Sequence, residues 1–125
     1  MANANEPGQP VPTGFIRFHH GTDLASATDL LVNGVSQQHA AAWNGSGEFW
    51  ATTDHDRAEW FALSHPNSPP AACYEFDLPE SVLLAMLNST PPTVRNPLPG
   101  DFEFLPTGFG LLNQHMTNRR MLPLL

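Results

Sequence analysis

The run from Gly45 to Ala62 constrains the fold more than any other part of the chain. A glycine pair, Gly45 and Gly47, opens it, and the aromatic-rich segment Glu48 to Thr52 reads as a strand. Thr53 or Asp54 stands where a helix N-cap belongs, because a short side-chain oxygen can accept an orphan amide hydrogen of the first turn. Asp56 to Leu63 then reads as a short helix with Ala58, Phe61 and Ala62 on one apolar stripe. Trp50 on the strand and Phe61 on the helix are eleven positions apart, as are Phe49 and Trp60. A strand, turn and helix of this length can fold the second ring over the first, and two facing rings make a slot for a flat heterocycle. Alternation along a strand lets only one of Phe49 and Trp50 face such a slot. The simpler reading makes all four rings core, and the stretch alone favours it.

Around this centre the chain reads as short elements separated by turns. Residues 1–13 are Asn, Pro, Gly and Ala with almost no large apolar side chain, and are expected to form a flexible N-terminal tail. Residues 14–125 are expected to form a single domain. Phe15 to His20 alternates and reads as the first strand, closed by Gly21-Thr22-Asp23. Leu24, Ala27, Leu30 and Leu31 have helical spacing, and Asn33-Gly34 follows as a left-handed helix stop. Ser36 to Ser46 reads as a loop carrying Trp43, and Ser64 to Pro70 as a turn. Ala72 to Leu78 alternates as a strand, and Pro79-Glu80 opens a helix whose body is Ser81 to Leu87. Asn88 to Gly100, with Pro91, Pro92, Pro97 and Pro99, is excluded from a central strand and expected as a surface loop near a site. Phe102 to Leu105 reads as the last firm strand, Phe109 to Met116 as a short helix with Leu112 and Met116 inward, and Arg119 to Pro123 as a tail or an edge strand.

Composition narrows the partners. The 125 residues carry a formal charge of −7 with no lysine, which argues against non-specific binding to phosphate backbones. A single nucleotide held by backbone amides is not excluded. Cys73 is the only cysteine, so no internal disulfide forms. No apolar run approaches the length of a membrane span. The N-terminus lacks a basic and then apolar leader, so no signal peptide is expected. That suits a cytoplasmic protein, or an effector delivered without a cleaved signal peptide.

Three pieces taken together carry a resemblance. They are Phe18-His19-His20-Gly21-Thr22, then Gly47-Glu48-Phe49-Trp50-Ala51-Thr52 with Ala58 and Phe61 beyond, then Asp101-Phe102-Glu103-Phe104. In order and approximate spacing they resemble the ADP-ribosyltransferase fold, in the histidine–tyrosine–glutamate class of diphtheria toxin and the poly(ADP-ribose) polymerases. The toxin branch has His-Gly-Thr at the end of its first strand and a Gly-Phe-Tyr-x-Thr strand. An alanine and a second tyrosine follow on the next helix, and a lone glutamate sits on a late strand. The helix end Asn33-Gly34-Val35 also falls where that branch ends a small helix. The resemblance covers roughly residues 15 to 105.

It implies an α+β fold of two small, mainly antiparallel sheets packed across an NAD cleft, with short flanking helices. It implies NAD as the substrate bound. His20 would bond a hydroxyl of the adenosine ribose, and Gly21 would offer its backbone to the nicotinamide carboxamide. Thr22 would support the same ribose or phosphate region, with Thr52 lining the site. Trp50 and Phe61 would sandwich the nicotinamide. Glu103 would bond the nicotinamide ribose and stabilise the positive sugar as nicotinamide leaves. Asp101, two residues before Glu103, would share its strand face and help position an acceptor, although a place in the Gly100-Asp101 turn is the simpler reading. Both family tyrosines are replaced, by Trp50 and Phe61, so stacking survives while the phenol hydroxyls are gone.

The function so implied is NAD-dependent transfer of ADP-ribose to a protein, nucleic-acid or small-molecule acceptor. A toxin with an antitoxin or immunity protein as partner, and a housekeeping modifier, both fit. A different class is a catalytically idle NAD- or ADP-ribose-binding or interaction module, which the lost tyrosines favour. A third reading is an NAD glycohydrolase or an RNA 2′-phosphotransferase. The latter needs a basic pocket, and only Arg17 and Arg57 lie near the expected cleft. No metal site is expected. His19 and His20 are adjacent and point to opposite faces of a strand, and His55, His65 and His115 show no carboxylate or histidine partner at helical spacing. His39 and His65 are expected in exposed loops. No phosphate-binding loop or Gly-x-Ser-x-Gly motif occurs.

Overall fold

The computed structural model describes residues 10–38, 47–64 and 70–124. Residues 1–9, the stretch with Trp43, and His39 and His65, for which expectations were given above, lie outside the described residues. The chain is α+β. Its strands are β1 (Phe15–Asp23), β2 (Phe49–Thr52), β3 (Ala71–Pro79), β4 (Val94–Leu98), β5 (Asp101–Phe104) and β6 (Thr117–Pro123). Its fully described helices are α1 (Leu24–Asn33), α2 (His55–Ser64), α3 (Glu80–Asn88) and α4 (Phe109–His115), with a 3-10 turn at Pro106–Gly108. The strands form one open antiparallel sheet in the order β4-β5-β2-β1-β3-β6.

The sheet is uneven across its middle. β1 pairs with β3 from Phe15–Pro79 to Asp23–Ala71, and β2 pairs with β5 along its whole length. Between β1 and β2 the register is the pair His19–Thr52 alone. Two halves, β4-β5-β2 and β1-β3-β6, thus meet at a narrow join. Where two separate sheets were expected, the described strands are continuous through that join.

Local sequence explains most element ends. Asp23 caps α1 by accepting the Ser26 amide at 2.7 Å. Gly34 ends α1 at φ +79°, and its amide returns to the Leu30 carbonyl. Asp54 Oδ1 accepts from the Asp56 and Arg57 amides at 3.0 and 3.3 Å, so of the two expected caps Asp54 is used. The expected loop from Asn88 to Gly100 is corrected. Val94–Leu98 is a strand on the outer edge of the sheet, its ladder broken between Arg95 and Leu98. Pro97 has no amide hydrogen to give, and an edge strand with an irregular ladder is where that is tolerated. Asn96 bridges the break, donating to the Leu98 and Asp101 carbonyls at 2.7 Å each. The opposite edge is β6, the edge-strand alternative for that segment.

One face of the sheet is apolar. Phe18, Phe49, Tyr74, Phe76, Leu78 and Phe104 pack there with Ala27 and Leu30 of α1, Leu83 and Met86 of α3, and Phe109 and Leu112 of α4. Phe18 is its centre, 5.4 Å from the Phe76 ring and edge-on to Phe104 at 5.5 Å. Full burial of each such ring contributes about 1.5–3 kcal/mol. The other face is covered by α2. Among the described residues no helix is long and apolar enough to cross a membrane.

Candidate functional site

Alternation places a run of polar residues on the α2 side. One transverse row crosses five strands through registered pairs: Asp101, Thr52, His19, Glu75, Arg120. Beside it lie two further pairs, Trp50 with Glu103 and Arg95 with Glu103. On the other side Arg17 faces Asp77. Arg17, His19, Thr52, Glu75, Asp77 and Asp101 are all buried. Their charges are paired, as buried charges must be. Arg17 makes a fork on Asp77, Nε to Oδ1 at 2.7 Å and the terminal nitrogen to Oδ2 at 2.9 Å. Glu75 is held from both flanks. Arg120 Nε donates to Oε1 at 2.7 Å, and His19 Nδ1 lies 3.0 Å from Oε2. Burial pushes the Glu75 carboxyl up, but the bonds and charges of His19 and Arg120 outweigh it and leave it below the ordinary carboxylate range.

Helix α2 lies on this face because Gly21 lets it. A Cβ at Gly21 would sit 1.9 Å from the Ala58 carbonyl oxygen and 2.8 Å from the Ala62 amide nitrogen. Ala58 and Ala62 are accordingly buried, while Phe61, expected on the same stripe, is 46% exposed. At this spacing only alanine-sized side chains fit between helix and strand, so the ring is turned outward. The first turn of α2 carries two side chains back onto the polar row. His55 faces His19, ring centroids 5.2 Å apart, and its Nδ1 is 3.7 Å from Glu75 Oε2. Arg57 grips Asp101, with Nε 2.9 Å from both oxygens and Nη2 2.7 Å from Oδ2. The hydrogen bond to Asp101 raises the Arg57 pKa above its ordinary value.

Each residue expected at the site can now be placed. Trp50 and Glu103 are direct cross-strand partners on the polar face. Trp50 is 40% exposed, and Glu103 accepts from Arg95 Nε at 2.9 Å, with Glu48 3.5 Å from the same guanidinium. Phe61 projects from α2 beside Trp60, ring centroids 5.1 Å apart, with the Arg57 guanidinium 5.0 Å above it. Phe61 thus has Trp60 as a ring neighbour on its own helix. Phe49 is core, stacked among Phe76 and Phe104. Of the two alternating aromatics, Trp50 faces outward.

The placements expected for His20 and Thr22 are corrected. His20 does not share a face with Glu103. It neighbours Phe49 at 4.5 Å on the apolar side, and its Nδ1 bonds the Trp50 carbonyl. The register is the reason: His19 opposes Thr52, so His19, Trp50 and Glu103 lie on one side and His20 on the other. His20 thereby ties β2 to β1 at the narrow join. Thr22 is buried on the apolar side, and its Oγ1 lacks a hydrogen-bond partner among the described residues, so it is not presented to a ligand. Gly21 is covered by the α2 backbone, whose packing itself requires a glycine there. Asp101 shares the face of Glu103, as expected, and is held by Arg57. Thr52 is buried too, its Oγ1 accepting the Asp54 amide at 3.1 Å.

Sequence reasoning missed one cluster. His19, His55 and Glu75 each place one ligand-type atom within 4.8 Å of the others. They come from β1, α2 and β3, so no spacing rule joins them. A local signal did exist: His55 has Glu59 at i+4, 3.7 Å from its Nε2, which corrects the expectation that it has no such partner. Arg95, on the segment read as loop, was missed as well. Cys73 is buried, and burial pushes its thiol up to about 12, so it is not a nucleophile at neutral pH. Compared with known proteins, the chain matches no family, no curated protein and no solved structure.

Proposed function

We propose that this chain binds NAD on the polar face around Trp50 and breaks the nicotinamide–ribose bond with Glu103, passing ADP-ribose to an acceptor. The observation that supports this most is the cross-strand pair Trp50–Glu103. It sets an exposed flat ring beside a carboxylate on the face that α2 leaves partly open. A ring there would stack on nicotinamide. A carboxylate one strand away would lie against the ribose carbon where positive charge develops, and fixed negative charge lowers that barrier. The narrow join at His19–Thr52 suits the ADP-ribosyltransferase-like architecture, with the two halves of the sheet in place of two sheets. In this reading His20 is a positioning residue for Trp50, acting through the backbone, and the adenosine ribose finds other partners.

A second reading, an idle binding module, is favoured by a specific contact. Arg95 already neutralises Glu103 at 2.9 Å and Arg57 neutralises Asp101. The Arg95 guanidinium competes with the developing sugar cation for the charge of Glu103. NAD titration by calorimetry with a nicotinamide-release assay separates the two. For the transferase, Glu103→Gln is expected to keep NAD binding and lose about a hundredfold to a thousandfold in kcat. Release at the parental rate removes Glu103 from the chemistry. Binding without release by the parent leaves the module, and no binding sinks both.

A further inference from the structure

The cluster His19, His55 and Glu75 lies apart from Trp50 and Glu103 and is used by neither reading above. Glu75 divides its two oxygens. Oε1 is taken by Arg120, while Oε2 looks toward the Nδ1 atoms of both histidines, at 3.0 Å for His19 and 3.7 Å for His55. Only the first of these is a hydrogen-bond distance. His55 is left with Nδ1 and Nε2 both buried and without a hydrogen bond among the described residues. Buried polar atoms are seldom left so, and an ion is one of the few things that settles such a site.

We propose that His19, His55 and Glu75 form a site for a divalent transition-metal ion, zinc being the best match to two imidazoles and a carboxylate. Bonds of about 2.0–2.2 Å in a tetrahedral set bring the ligand atoms to about 3.3–3.6 Å from one another. Glu75 Oε2 lies 3.0 and 3.7 Å from the two Nδ1 atoms, and one ligand atom of each residue lies within 4.8 Å of the others. His55 is the first residue of α2, so a small movement of one side chain at a helix end closes the set. The surroundings have the supports that metal ligands use. Arg120 orients the carboxylate from its other oxygen. Glu59, 3.7 Å from His55 Nε2, takes that N–H once Nδ1 holds the metal. Three protein ligands leave a position for water or a small anion. His19 and His55 line an open cleft of about 490 Å³ together with Arg17, Thr53 and Phe15, which gives ion and ligand a way in.

The test uses the full chain and zinc chloride, with cobalt(II) as an optical reporter. Calorimetry on chelator-stripped protein is expected to show one zinc site. Zinc is expected to raise the melting temperature relative to EDTA, and cobalt to give the visible bands of a site with nitrogen ligands. His55→Ala should abolish all three effects. Glu59→Gln, which alters only a partly exposed support, should weaken zinc about tenfold to a hundredfold without changing the stoichiometry. His115→Ala should change nothing. A parent that binds no zinc overturns the proposal and leaves the cluster as a proton-sharing network. Zinc binding that survives His55→Ala overturns it equally, by assigning the ion to other histidines. Should His55→Ala fail to fold, unaltered zinc affinity in Glu59→Gln together with loss in His115→Ala would do the same.

Discussion

On β1, Phe18 and His20 look toward three helices, while Arg17, His19 and Gly21 look toward one. The first side is filled by rings and aliphatic chains whose burial stabilises wherever they meet. The second is filled by charges that must meet particular partners: Arg17 with Asp77, His19 and Arg120 with Glu75, Arg57 with Asp101. Burying an ion pair gains little over burying hydrocarbon of the same shape, since desolvation consumes most of the attraction. The polar face therefore depends on exact pairing in a way the apolar face does not. The polar face is where the proposed ligands go.

The largest expected effect sets the two faces directly against each other. Phe18→Ala should cost about 3–5 kcal/mol in denaturant unfolding, as deletion of a core ring does. Asp77→Ala should cost a comparable amount, because it takes the forked ion pair from a buried guanidinium and the acceptor from Asn118. The double change Arg17→Met with Asp77→Leu should return most of that loss or exceed the parent, whereas no second substitution beside Phe18→Ala is expected to do so. If the double variant is as unstable as Asp77→Ala, the polar face is structural and the contrast fails.

A smaller effect comes from acid, measured in EDTA so that no metal intervenes. Glu75 has a lower pKa folded than its ordinary value, so it contributes stability that is present above the unfolded value of about 4.3 and lost as pH falls through the folded value. The stability advantage of the parent over Glu75→Gln should therefore be full at neutral pH and shrink on acidification below about pH 4.3. Parallel curves would mean that the flanking His19 and Arg120 do not favour the charged form.

The smallest effect is expected where the polar face reaches solvent. Phe61 and Trp60 are 46% and 60% exposed, so Phe61→Ala and Trp60→Ala should each change stability by no more than about 0.5 kcal/mol. If NAD binds on this face, Phe61→Ala should nonetheless weaken it, and Phe18→Ala in a protein that still folds should not. Equal losses of NAD affinity in the two would place the ligand elsewhere.

Much of the local structure was legible in the chain because its causes are local. The α+β character, the alternation of β1 and β3, the caps at Asp23 and Asp54 and the stop at Gly34 all follow from residues within a few positions of each other. So did the choice between Phe49 and Trp50, in the limited sense that one had to face each way. What alternation cannot state is which way. That was decided by the single pair His19–Thr52, which joins residues thirty-three positions apart and puts His20 on the far side from Glu103. The same applies to Gly21, where a motif glycine serves the backbone of α2, and to Phe61, turned out by that close approach. It applies most to His19, His55 and Glu75, three unremarkable residues in sequence. They become a possible ligand set only because β1 lies between β2 and β3 and a helix begins directly above. Short-range periodicity determines elements and their two sides. Register between distant strands determines which side residues share, and function depends on that sharing.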